Sequence, residues 1–507
     1  MRTAMSMDEA GTNEMNMQES TPLLSLSLSE TDMEIAKNDT REPYLVIALK
    51  ELRWVASASF LTAFALVLQW SLYFVNVISI GHLGTNELAG TTLSILLLGV
   101  LAIAPTLGIL SATETFCSTA YTASRNKTLV GFHFQRGLIA VATHNIAVAP
   151  ILWKIEPLLL AIGQEPEVAK FAGIYMRNLL ITVPAYAGFE ACKRYLQAQG
   201  IMKASTLVLV LVVPFHCVIN YLLVRSPTYG IGFVGAPIST VISEWVMFAG
   251  IVIYIRNSRA MDTWGGWDIR AFRNMFVFYR FAMSGVIAMC AEWIAFDLLN
   301  IGASYFGAAD IAASAIALNT ISFISYLGAG LGFGTSPRIG NLIGAAKPRQ
   351  ARIVGNVAVA LSLFAGMMCT TFLIVFSDWW ISVYTADPEV ASKVKNLLSI
   401  ACVFTTFHGL KSVLNAIMRG LGRQKMSATI NTLAYQICAV PLGAYLAFIA
   451  GMKSSGLWWG ICIGILVLCC LQITYIYMLI DWKNEVRLCI IRLRRNSAEA
   501  NEEQDQE

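Results

Sequence analysis

Charge is what this sequence has least of. Only 13% of its 507 residues are Asp, Glu, Lys or Arg and 56% are hydrophobic, whereas a soluble domain carries about 25% charged residues. A soluble core cannot bury that much apolar surface, so an ordinary soluble fold is excluded. The formal net charge of +4 is small and dispersed, which argues against nucleic acid as a partner. The eleven cysteines show no CxxC spacing and stand mostly alone in apolar segments, as at Cys117 and Cys192; they read as small packing residues, and no metal is expected. There is no phosphate-binding loop: Gly340-Asn-Leu-Ile-Gly344-Ala-Ala-Lys347 has the wrong spacing, so neither ATP nor another cofactor is expected. The glycines Gly328, Gly330, Gly332 and Gly334 follow no strand and read as helix-packing positions. The polar, Ser- and Met-rich N-terminus lacks the basic and apolar regions of a signal peptide.

What is abundant is long apolar runs. Twelve of them, from Trp54–Ile80 to Gly456–Ile480 and including Val168–Ala191 and Met275–Ala303, are long enough to cross a bilayer. The fold class expected is an all-α integral membrane protein of about twelve transmembrane helices. Lys and Arg collect in alternate loops, at Arg125 and Lys127, Lys193 to Lys203, Arg256 to Arg273, Lys347 to Arg352 and Arg419 to Lys425. Those loops and both termini are therefore expected in the cytosol, where the sequons at Asn38 and Asn126 would stay unglycosylated.

The chain repeats itself. Gly84-Thr-Asn-Glu-Leu-Ala-Gly90 parallels Gly307-Ala-Ala-Asp-Ile-Ala-Ala313 about 223 positions later, and Gly200-Ile-Met-Lys203 parallels Gly422-Arg-Gln-Lys425. Two parallel six-helix lobes follow, with substrate between them. The expected organisation is a disordered tail over 1–50, an N-lobe over 51–257, a linker over 258–272, a C-lobe over 273–483 and a second tail over 484–507.

Ionisable groups inside a membrane are the first candidates for transport chemistry. Glu292 sits mid-span in the seventh helix, with Asn319 and His408 at similar depth, and Asp297 lies nearer the outer face. A carboxylate beside an imidazole in low dielectric is a proton carrier; Asp297 equally reaches the interface, and Asn319 equally bonds helix to helix. Lys411, one turn beyond His408, is either a counter-ion or a snorkelling side chain. Glu244 is a second cation site or the partner of a base in its lobe, and Glu114 and Glu190 read as structural partners of Arg194 or Arg338. At the repeat position of Glu292-Trp293 stands Gln69-Trp70; Trp70 and Trp293 offer cation–π faces to a substrate, or pack against lipid.

Several stretches carry a family resemblance: Gly81-His-Leu-Gly-Thr-Asn-Glu-Leu-Ala-Gly90, Thr113-Glu-Thr-Phe-Cys117, Tyr195-Leu-Gln-Ala-Gln199, Glu292-Trp293, Arg338-Ile-Gly-Asn-Leu-Ile-Gly-Ala-Ala346 and Met418-Arg-Gly-Leu-Gly422. The chain resembles the eukaryotic branch of the multidrug and toxic compound extrusion (MATE) family over nearly all of its membrane region. The resemblance implies two lobes around a V-shaped cavity and export of organic, often cationic, compounds in exchange for protons or sodium. It places the coupling acid on Glu292, a second acid on Asp297 and a polar position on Asn319. His408 departs from the usual tenth-helix acid and Lys411 from the usual amide, which favours protons over sodium and weakens the case for dicationic cargo. The expectation is proton antiport of small organic cations through alternating access, by a protein that is not an enzyme and works as a monomer. Substrate contacts are expected from Glu292, Asn319, Gln69, Trp293 and Trp70, and coupling from Glu292, His408 and Asp297. The rivals are a flippase for lipid-linked sugars, a non-transporting sensor and a membrane acyl or glycosyl transferase. In the tail, Glu19-Ser-Thr-Pro-Leu23-Leu24 resembles an acidic dileucine signal, leaving vacuolar and plasma membranes open.

Overall fold

In a bilayer every backbone N–H and C=O needs an internal partner, and helices supply one within the segment. The computed structural model describes position 30 and residues 42–501 except 82 and 386. The dileucine motif and Asn38 lie outside the described residues. The helices are α1 (Tyr44–Gly81), α2 (Thr85–Ala123), α3 (Thr128–Trp153), α4 (Ile155–Ala161), α5 (Pro166–Leu179), α6 (Thr182–Ala198), α7 (Lys203–Val224) and α8 (Gly235–Arg256). After a linker with two short 3-10 turns come α9 (Met275–Ala303), α10 (Ala308–Gly344), α11 (Pro348–Tyr384), α12 (Pro388–Gly420), α13 (Gln424–Ile449), α14 (Lys453–Leu479) and α15 (Trp482–Asn501).

Among the described residues, eleven helices are long and apolar enough to span a membrane. The twelfth expected span, Val168–Ala191, is divided into α5 and α6. Pro184 explains the break, since it offers no N–H to the Leu180 carbonyl and its ring crowds that oxygen. α6 is also polar and almost wholly buried, with Glu190, Lys193 and Arg194 inside the protein.

The expected tails are shorter than proposed. α1 already begins at Tyr44, and Trp482–Asn501 is a helix rather than a tail. α15 is tied down by Glu485, which is buried and accepts from Arg423 at 2.6 Å, while Arg492 lies over the Phe281 ring.

The halves meet at the ends that carry the basic loops. There Arg338 pairs with Glu51 at 2.5 Å, Thr122 donates to the Asn341 carbonyl, Thr115 to that of Arg419, and Gln424 to that of Ser111. At the opposite ends, no hydrogen bond or ion pair joins the halves among the described residues. The glycines of α10 make the close approaches expected of them. Gly328 and Gly332 lie on α12, at Gly409 and Ser412, whereas Gly330 and Gly334 lie on α1, at Ala63 and Ser59. A Cβ on Gly330 would stand 2.5 Å from that of Ala63. Gly330→Leu should therefore destabilise the protein by about 1–3 kcal/mol through overpacking, read as a lower melting temperature in detergent, whereas Phe323→Leu on the exposed face of the same helix should leave it nearly unchanged.

Candidate functional site

A cavity of about 250 Å³ lies mostly within the second half, walled by α9, α10, α12 and α13, with Leu66 of α1 and Leu107, Gly108 and Ser111 of α2 bordering it from the first half. Its chemistry comes chiefly from α12, where His408, Lys411, Asn415 and Arg419 recur every three or four residues and so share one helical face. Across from them, α9 presents Glu292 and Trp293, and α10 presents Tyr326 and Phe333.

The Lys411 ammonium donates to Glu292 Oε1. His408 Nε2 stands 3.6 Å from that oxygen and 3.5 Å from Lys411 Nζ. Glu292 keeps 16% of its side chain exposed, towards the cavity, against 4% for Lys411. This is a carboxylate shared between two bases, one of which titrates near neutrality when unperturbed. His408 Nδ1 has no hydrogen-bond partner among the described residues and lies behind Gly328.

Two irregular helical turns seat this group. In α2 the backbone widens to a π-helical turn over Gly99–Ile103, and Gly99 lies under the Trp293 ring, where a Cβ would be 2.9 Å from it. Pro105 follows and cannot donate to the Leu101 carbonyl; His144 Nε2 bonds that oxygen instead, at 3.1 Å. In α13 the π-helical turn Leu433–Ala439 carries Gln436, whose amide donates to the Ala291 carbonyl at 2.7 Å. The residue before Glu292 is thus fixed from a neighbouring span. Such turns recur at functional sites.

Of the residues singled out in the sequence, Glu292, His408, Lys411 and Trp293 come together. Trp70 reaches the edge of the group, its ring 6.2 Å from that of Tyr326. Asn319 does not join them. It lies two turns from Tyr326 on the same face, exposed and beyond the cavity. Asp297 is turned away, because five residues rotate a helix by about 140° from Glu292; it is half-buried with no ion pair or hydrogen bond among the described residues.

Gln69 belongs to a separate network inside the first half. It donates to Glu190 at 3.2 Å and accepts from Lys193 at 3.3 Å, while Arg194 bonds Glu114 at 3.2 Å and approaches Glu190 at 3.7 Å. The structural reading of Glu114 and Glu190 fits this geometry, with Lys193 as an additional partner; Arg338 goes to Glu51 instead. Glu244 is fully buried and neither carboxylate oxygen has a hydrogen-bond partner among the described residues. A second polar cluster escaped sequence reasoning: Asn76, Asn220, Ser239 and Thr240 interlink, and His216 bonds Ser243 and the Leu72 carbonyl. Its signal was the i,i+4 spacing of His216 with Asn220 and of Ser239 with Ser243.

The profile of the MatE family matches residues 62–222 and 286–445, more than half of the chain. The chain belongs to the MatE family. The two matches start 286 − 62 = 224 positions apart, in step with the internal repeat. An uncharacterized transporter of Schizosaccharomyces pombe is 34% identical over 423 residues, 83% of this chain and 78% of the relative. Multidrug and toxin extrusion protein 1 of Xenopus tropicalis is 28% identical, over 83% of this chain and 74% of its own. The crystal structure of the eukaryotic MATE transporter AtDTX14 superposes with a TM-score of 0.82 at 25% identity, covering 89% of this chain and all of that one. The MatE membership establishes the two-lobe membrane fold and places the chain in a family of transporters.

Within this MatE fold, breaking the Glu292–Lys411 pair from one side leaves a charge stranded. Lys411→Ala should cost about 3 kcal/mol, the low end for a buried pair because Glu292 touches the cavity. Glu292→Gln combined with Lys411→Gln should recover most of it, and a thermal-unfolding double-mutant cycle in detergent reads the coupling.

Proposed function

We propose that this chain is a proton-coupled secondary transporter that moves small organic compounds across a membrane by alternating access of its two halves. The observation that carries this reading is the ionisable triad of Glu292, Lys411 and His408 in the wall of a cavity in the second half that the first half borders. A proton arriving at Glu292 dismisses Lys411, and that change alters the bonding between α9 and α12 next to the cargo. Lys411 fills the position on Glu292 that a sodium ion would take, which supports the proton as coupling species. A cavity of about 250 Å³ is of the order used for small molecules, and relatives named for multidrug and toxin extrusion support an organic cargo. With the basic loops in the cytosol, the hydrogen bonds and the ion pair that join the halves lie on the cytosolic side.

Reconstituted into sealed vesicles, the protein should move organic compounds under an imposed pH gradient and not under a sodium gradient. Glu292→Gln should lower the pH-driven flux by at least about tenfold, at equal incorporation. Equal flux in the variant, or flux driven by sodium alone, would defeat the assignment.

A further inference from the structure

α15 touches both halves. Trp482, Val486, Cys489, Ile490 and Leu493 recur at helical spacing and are buried as one stripe. Its strongest bonds go to the second half. Glu485 accepts from Arg423 Nε at 2.9 Å and from its Nη2 at 2.6 Å, and the Arg492 guanidinium lies over Phe281 of α9 and donates to the Leu421 carbonyl at 3.4 Å. Trp482 lies over Gly355 of α11, where a Cβ would be 3.6 Å from its ring. In the first half α15 meets α2, where the Cys489 thiol is within hydrogen-bonding reach of the Thr119 hydroxyl. The same end of α2 is seated on α10: Ser118 lies at Gly340, a Cβ on Gly344 would stand 2.5 Å from the Thr119 carbonyl, and Thr122 donates to the Asn341 carbonyl at 2.8 Å. With α3 of its own half packed against it as well, every residue of α2 from Thr113 to Ala120 is buried. So enclosed, the end of α2 cannot move without leaving a neighbour, and α10 and α15 both belong to the half it would move against.

We propose that α15 is a strap across the cytosolic joint: fixed to the second half, it holds the end of α2 and must release it before the cavity opens to the cytosol. This rests on the alternating-access reading and adds a control to it. Opening to the cytosol separates the halves where α2 meets α10. The Glu485–Arg423 pair and the Arg492 contacts lie within the second half and survive that separation, so α15 travels with it and the contact at Thr119 is the one that breaks. The strap therefore favours the closed joint, and whatever loosens α15 shifts the population towards the cytosol-open state. The device needs no change of charge at Glu292; it sets how readily the halves part once the cavity has been filled or emptied.

The test joins Thr119→Cys to the native Cys489 in the full chain and reads the cavity through Ser412→Cys, since Ser412 lines it. The thiol–hydroxyl contact puts two sulfurs within reach of a disulfide, which copper–phenanthroline forms and dithiothreitol reduces. In inside-out vesicles a membrane-impermeant maleimide should alkylate the thiol at position 412 of the reduced protein. Labelling should be slower by about tenfold or more once the disulfide has formed and return to its first rate on reduction, with peptide masses separating this thiol from the native cysteines. Without Thr119→Cys the oxidant should change nothing. Glu485→Gln, which loosens α15, should speed labelling by about threefold or more. A helix that merely covers the surface would leave labelling indifferent to the disulfide. Failure of the disulfide to form, equal labelling with and without it, or slower labelling in Glu485→Gln overturns the strap; no labelling even in the reduced protein overturns the strap and alternating access together. Labelling that the disulfide blocks, in a protein that moves neither tetraethylammonium nor para-aminohippurate under a pH gradient, keeps the strap and overturns the transporter.

Discussion

A charge at the centre of a bilayer costs about 2.5–3.5 kcal/mol even by the mildest measures, and this constraint organises the interior. Glu292 is tolerable because Lys411 reaches it from the next wall of the cavity. That contact needs α9 and α12 in register to within a side chain's length. The surrounding features serve the register: Gln436 holds the backbone beside Glu292, and Gly99 leaves room for Trp293.

The two halves solve the same problem differently. Positions 69 and 292 are repeat-related, and each contacts a lysine of its own half, Lys193 on α6 or Lys411 on α12. In the first half the carboxylate comes from Glu190, one turn from Lys193 on the same helix, so the pair keeps its partners however α1 moves. In the second half the acid and the base stand on different helices, and any relative shift of α9 and α12 changes their separation. On the proposed reading, the first network is scaffolding and the second is the part whose charge state can be felt by the helices.

Hydropathy made the spans legible because backbone satisfaction in lipid depends on little else. It failed at α6, where burial within the protein replaces contact with lipid and lets Glu190, Lys193 and Arg194 stay, and at α15, whose mixed composition reads as a tail until Glu485 and Arg492 find partners. Depth along a helix was also legible, and it brought Glu292 and His408 together. Azimuth and the state of the gap were not: Asn319 lies on the face of Tyr326 but past the cavity, Asp297 is rotated away, and Lys411 turned from two open readings into one contact. Spacing within a helix predicts which residues share a face, but not which neighbour that face meets.

The geometry of α10 shows how a change at Glu292 reaches the other half. Its glycines alternate between two partners, Gly328 and Gly332 lying on α12 and Gly330 and Gly334 on α1. Each is a contact without a side chain to give way, so α10 lies between α12 and α1 as a rigid slab. His408 sits directly behind Gly328. If a proton releases Lys411 and α12 shifts, the slab must follow, because close-packed backbones have no compressible layer between them. The displacement then arrives at Ala63 and Ser59 of α1, near the Glu51–Arg338 pair that joins the halves. The same tight packing that makes the closed side stable is what lets a local change of bonding on one helix bear on the whole interface.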